Sequence, residues 1–215
     1  MNGEPDGAER GRVLLRIAWE VVSDATGRPL PPDPAVRGHA FLSSLGAVFV
    51  SLHRLQEDGR LELRGCLGSL EPIRPLIEDL RSNAAAAARR DPRFPTVKSD
   101  ELDDLELEVT EVGSMRSLLV RSRSELLERL HPGVDGLFVR CGARRATFLP
   151  QVWERGRVAP DEFLSALLTK AGLPPDFWSP DLELFTYGTR SWSSRWPGRQ
   201  PPGRRSAAGD RSWRR

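Results

Sequence analysis

Two strand-like segments joined by a short polar turn constrain this chain more than any other feature. Residues 44–52 form a nearly continuous apolar run rich in β-branched and aromatic side chains, which predicts a strand buried on both faces. Residues 56–59 supply a polar turn that ends in glycine, and residues 61–68 alternate as a second strand does. We therefore predict an antiparallel hairpin of 47–52 with 61–67.

Helical and strand patterns alternate through the rest of the chain. Residues 9–23 carry an apolar stripe at helical spacing, and a second stripe predicts a helix with Pro72 in its first turn that ends at Asp91. The other predicted elements are a strand at 105–111 with a row of carboxylates facing water, a helix at 122–130, a second hairpin of 136–141 with 145–149, a helix over 163–171 and a strand at 182–187. This order predicts an α+β fold with a mixed, largely antiparallel sheet flanked by helices.

The charges of the chain are unevenly distributed. Residues 188–215 contain eight arginines and one acidic residue, so the remainder is net negative although the whole chain carries +2. An acidic body is not a general nucleic-acid binder, because phosphate contacts need clustered cations on the folded surface. We predict a disordered N-terminus at 1–9, a folded body at 10–187 and a disordered Arg-, Trp- and Pro-rich tail at 188–215, through which RNA binding is a minor alternative.

The two cysteines, Cys66 and Cys141, are too few for a disulfide framework and lack the paired spacing of a zinc site. No apolar run approaches the roughly 20 residues that span a bilayer. These features predict a cytoplasmic protein with free thiols and no membrane contact. We assign no metal, because no histidine lies near the predicted carboxylate row in the sequence. We also assign no cofactor.

Cys66 is the leading candidate for chemistry. Alternation over residues 61–68 predicts that Arg64 and Cys66 share one face, just ahead of a helix N-terminus. A cysteine beside a cation in that position is typical of a nucleophile, whereas the alternative is a small buried residue in a packed turn. His53, at the end of the partner strand, is the candidate base.

The residues after the strand suggest a second role for the same segment. Gly65, Gly68 and Ser69 precede the predicted helix, where backbone N–H groups can bind an anion. The alternative is that the glycines serve backbone geometry alone, because the segment matches neither a P-loop nor a dinucleotide-binding fingerprint.

Five further stretches stand out in the sequence: LRGCLGS (63–69), DPRFP (91–95), LDDLELEV (102–109), PGVDGL (132–137) and FLPQVW (148–153). In this order they resemble the AMMECR domain family, whose bacterial and archaeal members are called AmmeMemoRadiSam system protein A. The resemblance covers about residues 10–187. The family's Arg-Gly-Cys-Ile-Gly signature corresponds to residues 64–68, with Leu67 in place of Ile.

The resemblance implies a two-lobed domain and a cytoplasmic protein that accompanies a Memo-like protein and a radical SAM enzyme, the latter holding the iron–sulfur chemistry. It implies no established reaction. We expect a thiol-dependent enzyme or enzyme subunit, or else a non-catalytic adaptor for these partners. The expected site residues are Cys66, Arg64 and His53 for catalysis, and Gly65, Gly68, Ser69, Asp91, Arg93 and Gln151 for substrate binding.

Overall fold

The computed structural model describes residues 6–156 and 158–198. Its helices are α1 Gly7–Ala25, α2 Leu76–Arg89, α3 Arg123–Arg129, α4 Gln151–Gly156 and α5 Pro160–Lys170. Its strands are β1 Leu45–Gly46, β2 Val48–Leu55, β3 Leu61–Gly68, β4 Arg74–Pro75, β5 Leu105–Val112, β6 Arg116–Ser117, β7 Gly136–Cys141, β8 Arg144–Phe148, β9 Glu183–Tyr187 and β10 Thr189–Arg195.

All pairings between these strands are antiparallel. They form a two-stranded sheet, β1-β4, and two four-stranded sheets ordered β10-β5-β2-β3 and β6-β9-β7-β8. The predicted α+β class is confirmed, but separate antiparallel sheets replace the single mixed sheet. Both predicted hairpins are present, as β2 with β3 and β7 with β8.

The two larger sheets define two lobes with separate cores. In the large lobe, α1 and α2 cover one face of the β10-β5-β2-β3 sheet and bury its apolar side chains. In the small lobe, α5 packs on the other sheet, with Phe163 stacked on Trp153 at 3.7 Å between ring centroids. The chain passes between the lobes twice, where the Gly113 N–H donates to the Gly188 carbonyl over 2.9 Å.

A bulge in β3 changes which side chains share a face. The pairing of β2 with β3 shifts between Leu52 and His53, whereas β2 pairs with β5 without interruption, so the extra residue is Arg64 in β3. Register partners lie on the same face of a sheet. Ser51 pairs with Cys66 and His53 pairs with Leu63, and because Ser51 and His53 share a face, Cys66 and Leu63 do so too. Strict alternation over residues 61–68 predicts that Leu63 points away from Cys66, and the bulge makes that prediction wrong.

The C-terminal strand corrects the predicted boundary at residue 188. Thr189–Arg195 is not disordered but pairs with β5 along its whole length, and Trp196 is 4% exposed in the large core. Trp196 packs edge-on against Trp19, with ring centroids 5.2 Å apart. The strand forms because β5 offers it an edge and α1 offers its tryptophans an apolar surface. The rest of the predicted tail, residues 199–215, lies outside the described residues.

Both long helices begin elsewhere than predicted. Helix α1 starts at Gly7, with the Asp6 side chain accepting from the Glu9 N–H, so residues 7–9 are helical; residues 1–5 lie outside the described part. Helix α2 starts at Leu76 rather than near Pro72, because Arg74–Pro75 is held extended against β1. The apolar stripe of the predicted helix includes Ile73 on its buried side, but Ile73 is 78% exposed. No helix among the described residues is long and apolar enough to cross a membrane.

Candidate functional site

Cys66 lies in the edge strand β3, on the face of the large sheet opposite the two helices. Its neighbour Gly65 faces α2, so the Cys66 side chain points the other way. The Ser51 hydroxyl, on the adjacent strand, donates to the Cys66 Sγ over 3.2 Å. Cys66 is partly exposed and is a free thiol. The thiol is therefore neither fully buried nor without a hydrogen-bond partner.

A buried carboxylate fixes the surroundings of this thiol. Asp91 follows α2, and its side chain, 3% exposed, accepts from the Cys66 N–H over 2.8 Å and from the Arg93 guanidinium over 2.7 and 2.9 Å. Hydrogen bonding from Arg93 holds the pKa of Asp91 well below its usual range, against the effect of burial. The loop of residues 91–95 thus folds back onto the sheet, and the Asp91 carboxylate contacts both Arg93 and the backbone of Cys66.

Arg93 keeps part of its charge available at this position. Its Nη2 donates to the Cys66 carbonyl over 3.2 Å, yet the side chain remains 55% exposed. The guanidinium also lies over the Phe94 ring, 5.3 Å from its centroid. Arg93 is therefore a positioned, solvent-facing cation beside the thiol, as expected for a group that binds an anion.

Arg64 is used differently from the prediction. At the β3 bulge its guanidinium forms a two-point ion pair with Glu101 over 2.8 and 3.0 Å and donates to the Pro95 carbonyl. Burial acts to raise the pKa of Glu101, but the hydrogen bonds from Arg64 and the Lys98 N–H, together with the charges of Arg64 and Arg54, outweigh it and the pKa is lowered. The Arg64 and Glu101 side chains are each 11% exposed. The predicted pairing of Arg64 with the thiol is replaced by an ion pair that fixes the loop after α2.

His53 lies on the same face of the sheet as Cys66 but is not its cross-strand neighbour. It is 8% exposed in β2, where its register partners are Leu63 and Glu106. The strand register places Ser51, rather than His53, opposite Cys66. The role of His53 as a base stays a prediction.

The predicted anion-binding segment is occupied by internal contacts. A Cβ at Gly65 would lie 2.3 Å from the Ala87 carbonyl oxygen, and one at Gly68 would lie 2.2 Å from the Phe49 ring. The Ser69 N–H donates to the Val48 carbonyl. The two glycines therefore permit close packing against α2 and Phe49, and the Ser69 N–H is used within the sheet. These contacts account for the three residues without a bound anion.

The small lobe contributes a cation that the sequence did not reveal. Lys170, the last residue of α5, donates from Nζ to the Thr147 carbonyl over 3.0 Å and lies 4.9 Å from the Phe148 ring centroid. Partial desolvation lowers the pKa of Lys170, a negative charge at Cys66 raises it, and the charge of Arg93 lowers it. Lys170 is therefore within electrostatic range of both. One signal was available, because lysine occurs only at positions 98 and 170 of this arginine-rich chain.

We call the region where Cys66, Arg93 and Lys170 approach one another, at the junction of the two lobes, the cleft. Two further contacts join the lobes around it. The Gln151 Nε2, from α4, donates to the Ser191 Oγ of β10 over 3.0 Å. Arg145 of β8 lies 3.9 Å from Glu71, in the loop after β3. The structure thus brings Cys66, Asp91 and Arg93 together, and Lys170 of the small lobe lies within electrostatic range of them. Arg64 is not part of this group, because it pairs with Glu101. Among the described residues, no group of His, Cys, Asp and Glu is arranged to hold a metal.

Replacing Asp91 by Asn tests the support of the thiol. We expect the free energy of unfolding at pH 7 to fall by about 2–3 kcal/mol, chiefly from the weakened bond to the part-buried Cys66 N–H, because the Arg93 side of the pair is solvent-screened. The pKa of Asp91 is lower in the folded state than in the unfolded state. Its contribution to stability is therefore fully present above the unfolded pKa of about 4 and is lost as the pH falls from there toward the folded pKa. Urea titrations at pH 7 and pH 3 should show the gap between wild type and Asp91→Asn narrowing at the lower pH.

The matched control for this substitution is Asp103→Asn. Asp103 pairs with Arg28 over 2.9 Å at a surface position, where both side chains are about 40% exposed. We expect a loss below about 1 kcal/mol at both pH values. A gap for Asp91→Asn that stays constant from pH 7 to pH 3 would contradict the assignment of its ionised form to the site.

The fold and the site define a class: a two-lobed α+β protein with a free thiol and two cations at the cleft between its lobes. The AMMECR1 family profile matches residues 15–192. This chain belongs to the AMMECR1 family, as its motifs predicted.

Relatives in archaea share both sequence and fold. Protein MK0488 of Methanopyrus kandleri is 36% identical over 189 residues, which are 86% of this chain and 88% of that protein. A protein of Methanothermobacter thermautotrophicus is 37% identical over 193 residues, 87% of this chain and 95% of that protein. The crystal structure of the uncharacterized protein PH0010 from Pyrococcus horikoshii matches with a TM-score of 0.77 and 32% identity, covering 88% of this chain and 93% of that chain.

Proposed function

We propose that this protein is a thiol-dependent enzyme or enzyme subunit whose nucleophile is Cys66 and whose substrate carries an anionic group. One observation carries the proposal. A partly exposed thiol is fixed beside a half-exposed guanidinium by a carboxylate that is itself buried. Such an arrangement retains an exposed cation next to a nucleophile, and packing alone does not require that.

Each neighbour of the thiol has a distinct part in this proposal. The Ser51 hydroxyl donates to the Cys66 Sγ and orients the sulfur. Arg93 and Lys170 attract the anionic group of the substrate from opposite lobes. Asp91 is a positioning residue, because it holds Arg93 and the Cys66 backbone without facing the substrate.

The reaction begins with addition of the Cys66 thiolate to an electrophilic carbon. The Sγ–C bond forms as the π-electron pair of the carbonyl moves to its oxygen, and the thiol proton has already left to solvent. The cations near the site stabilise the negative charge that develops on the substrate. The product of this step is a covalent adduct on Cys66.

We also propose the setting that the family resemblance implies: a cytoplasmic protein acting with a Memo-like protein and a radical SAM enzyme. A non-catalytic adaptor is the second candidate, favoured by two exposed apolar side chains beside the β1-β4 pair, Leu45 at 67% and Ile73 at 78% exposure. Copurification from the native host tests both. Recovery of neither partner under conditions that keep other complexes intact would contradict the setting and the adaptor alike.

Alkylation with two reagents of different charge tests the thiol proposal. In a Cys141→Ser background, we expect native Cys66 to react with both iodoacetamide and iodoacetate, with a larger iodoacetate-to-iodoacetamide rate ratio than in the urea-unfolded chain. Arg93→Met should lower that ratio by about 3- to 10-fold through loss of one nearby cation. Arg93→Lys should largely preserve it.

The control for these rates is Arg89→Met, an exposed arginine at the end of α2. It changes net charge equally but belongs to the helix that covers the opposite face of the sheet, so the ratio should stay within about 1.5-fold at moderate salt. The proposal fails if native Cys66 resists both reagents up to pH 9, or if folding does not change the ratio.

A further inference from the structure

A carboxylate lies on the same face as Cys66, two strands away. Ser51 is the register partner of both Cys66 in β3 and Glu108 in β5. Neighbouring strands are about 4.8 Å apart, so the Cα atoms of Cys66 and Glu108 are separated by about 10 Å across Ser51. The sequence predicts Glu108 to be a water-facing residue of an open strand. In the structure β5 is an inner strand, and Glu108 is only partly exposed.

A chain of hydrogen bonds holds Glu108 from the other lobe. The Gln151 Nε2 donates to the Ser191 Oγ over 3.0 Å, the Ser191 and Thr110 hydroxyls are 2.8 Å apart, and the Thr110 Oγ1 lies 3.2 Å from the Glu108 Oε1. An ionised carboxylate only accepts, so the single Thr110 proton points to Glu108. Ser191 must then donate to Thr110, and Gln151 to Ser191.

The carboxylate therefore fixes the direction of the whole chain. Thr110 is 2% exposed, so its hydroxyl has no alternative in solvent. Every proton along the chain is directed toward Glu108, which fixes one carboxylate oxygen on the cleft side of the sheet. Among the described residues the second oxygen, Oε2, accepts no hydrogen bond. It is available to a ligand.

The cleft is thus divided by charge on either side of the thiol. Arg93 and Lys170 lie toward one side, while Glu108 lies across Ser51 on the other. A substrate with only an anionic group would gain nothing from a carboxylate fixed at this distance. A substrate with a cation at its far end would bind both sides.

We propose that Glu108 is a specificity-determining residue, and that the substrate of the Cys66 site carries both an anionic group and a protonated amine. Glu108 binds the amine through Oε2, and the Gln151–Ser191–Thr110 chain positions the carboxylate from the small lobe. This inference rests on the proposed function, since it names the substrate class of the same thiol site. The electrophilic carbon lies between the two charged groups of such a substrate.

Three methanethiosulfonate reagents of different charge test this inference. Each forms a mixed disulfide with the Cys66 thiolate and releases methanesulfinate. We compare the aminoethyl (positive), methyl (neutral) and sulfonatoethyl (negative) reagents on the Cys141→Ser protein at low ionic strength, where exposed charges are least screened. In Glu108→Gln, the rate of the positive reagent relative to the neutral one should fall about 3- to 5-fold. The negative reagent should not slow.

Two further variants separate charge from structure. Gln151→Ala cuts the chain at its distant end and should lower the same ratio by a smaller factor, because the carboxylate remains but is less well fixed. Glu62→Gln removes a nearby carboxylate whose register partner is Arg54, outside the row that contains Cys66, and should leave the ratio unchanged. Circular dichroism and urea midpoints confirm that each variant is folded.

The outcomes distinguish this inference from the proposal beneath it. An unchanged positive-to-neutral ratio in folded Glu108→Gln overturns the role of Glu108 and leaves the thiol proposal standing. A Cys66 that reacts with none of the three reagents overturns the proposed function, and the substrate class with it. An equal fall in Glu62→Gln would assign the effect to net charge and also overturn the role of Glu108.

Discussion

Ending the chain at Tyr187 should abolish stable folding, whereas ending it at Gly198 should not. The shorter chain loses β10, which pairs with β5 from Thr189 to Arg195, and loses Trp196 from the large core. Removing one buried tryptophan alone costs about 3–5 kcal/mol, and the whole stability of such a domain is about 5–15 kcal/mol. We therefore expect loss of the cooperative urea transition.

The longer truncation is the control for this experiment. A chain of residues 1–198 keeps every described element, so its urea midpoint should match that of the full chain. Trp196→Ala in the full chain should reproduce a large part of the effect, with a loss of about 3–5 kcal/mol. A cooperative transition of unchanged midpoint in the chain of residues 1–187 would show that β10 is not part of the domain.

Replacing Gly65 by alanine should destabilise the large lobe by about 3 kcal/mol or more. The new Cβ would lie 2.3 Å from the Ala87 carbonyl oxygen, which belongs to the backbone of α2 and cannot rotate away. Strand β3 and helix α2 must separate, and the adjacent Cys66 moves with the strand. Urea denaturation measures the loss, and slower or less selective alkylation of Cys66 should accompany it.

Gly7→Ala provides the same chemical change where there is room for it. Nothing lies within 4 Å of a Cβ at Gly7, in the first turn of α1, and alanine is the better helix former. The expected change is a gain of up to about 0.5 kcal/mol. Equal stability of Gly65→Ala and wild type would contradict the close approach of β3 to α2.

Local patterns predicted the elements of the fold whose partners are near in sequence. The hairpin of β2 with β3 and the strand β5 follow from alternation and turn residues, and both are present. Strand β10 was missed because the C-terminal residues are rich in Arg, Gly, Pro and Ser and show no clear periodicity. Its order comes from non-local partners, the edge of β5 and the Trp192 contact with Gly11 of α1.

The candidate site was only partly predictable for the same reason. Cys66, Asp91 and Arg93 lie in two motifs that the chain brings together as expected. Arg64 was assigned to the thiol because ideal alternation was assumed, and a single bulge redirected it to Glu101. Lys170 belongs to the other lobe, so no spacing in the sequence relates it to Cys66.

The alkylation-rate ratio of Lys170 variants tests the central claim most directly, because it asks whether the second lobe acts on the thiol. In the Cys141→Ser background, Lys170→Met should lower the iodoacetate-to-iodoacetamide ratio at Cys66 by about 3-fold or more, whereas Lys170→Arg should keep it. Lys98 is the only other lysine in the chain, and Lys98→Met should leave this ratio unchanged. If the iodoacetate-to-iodoacetamide ratio of Lys170→Met equals that of the Cys141→Ser protein that retains Lys170, the thiol site is not formed by both lobes.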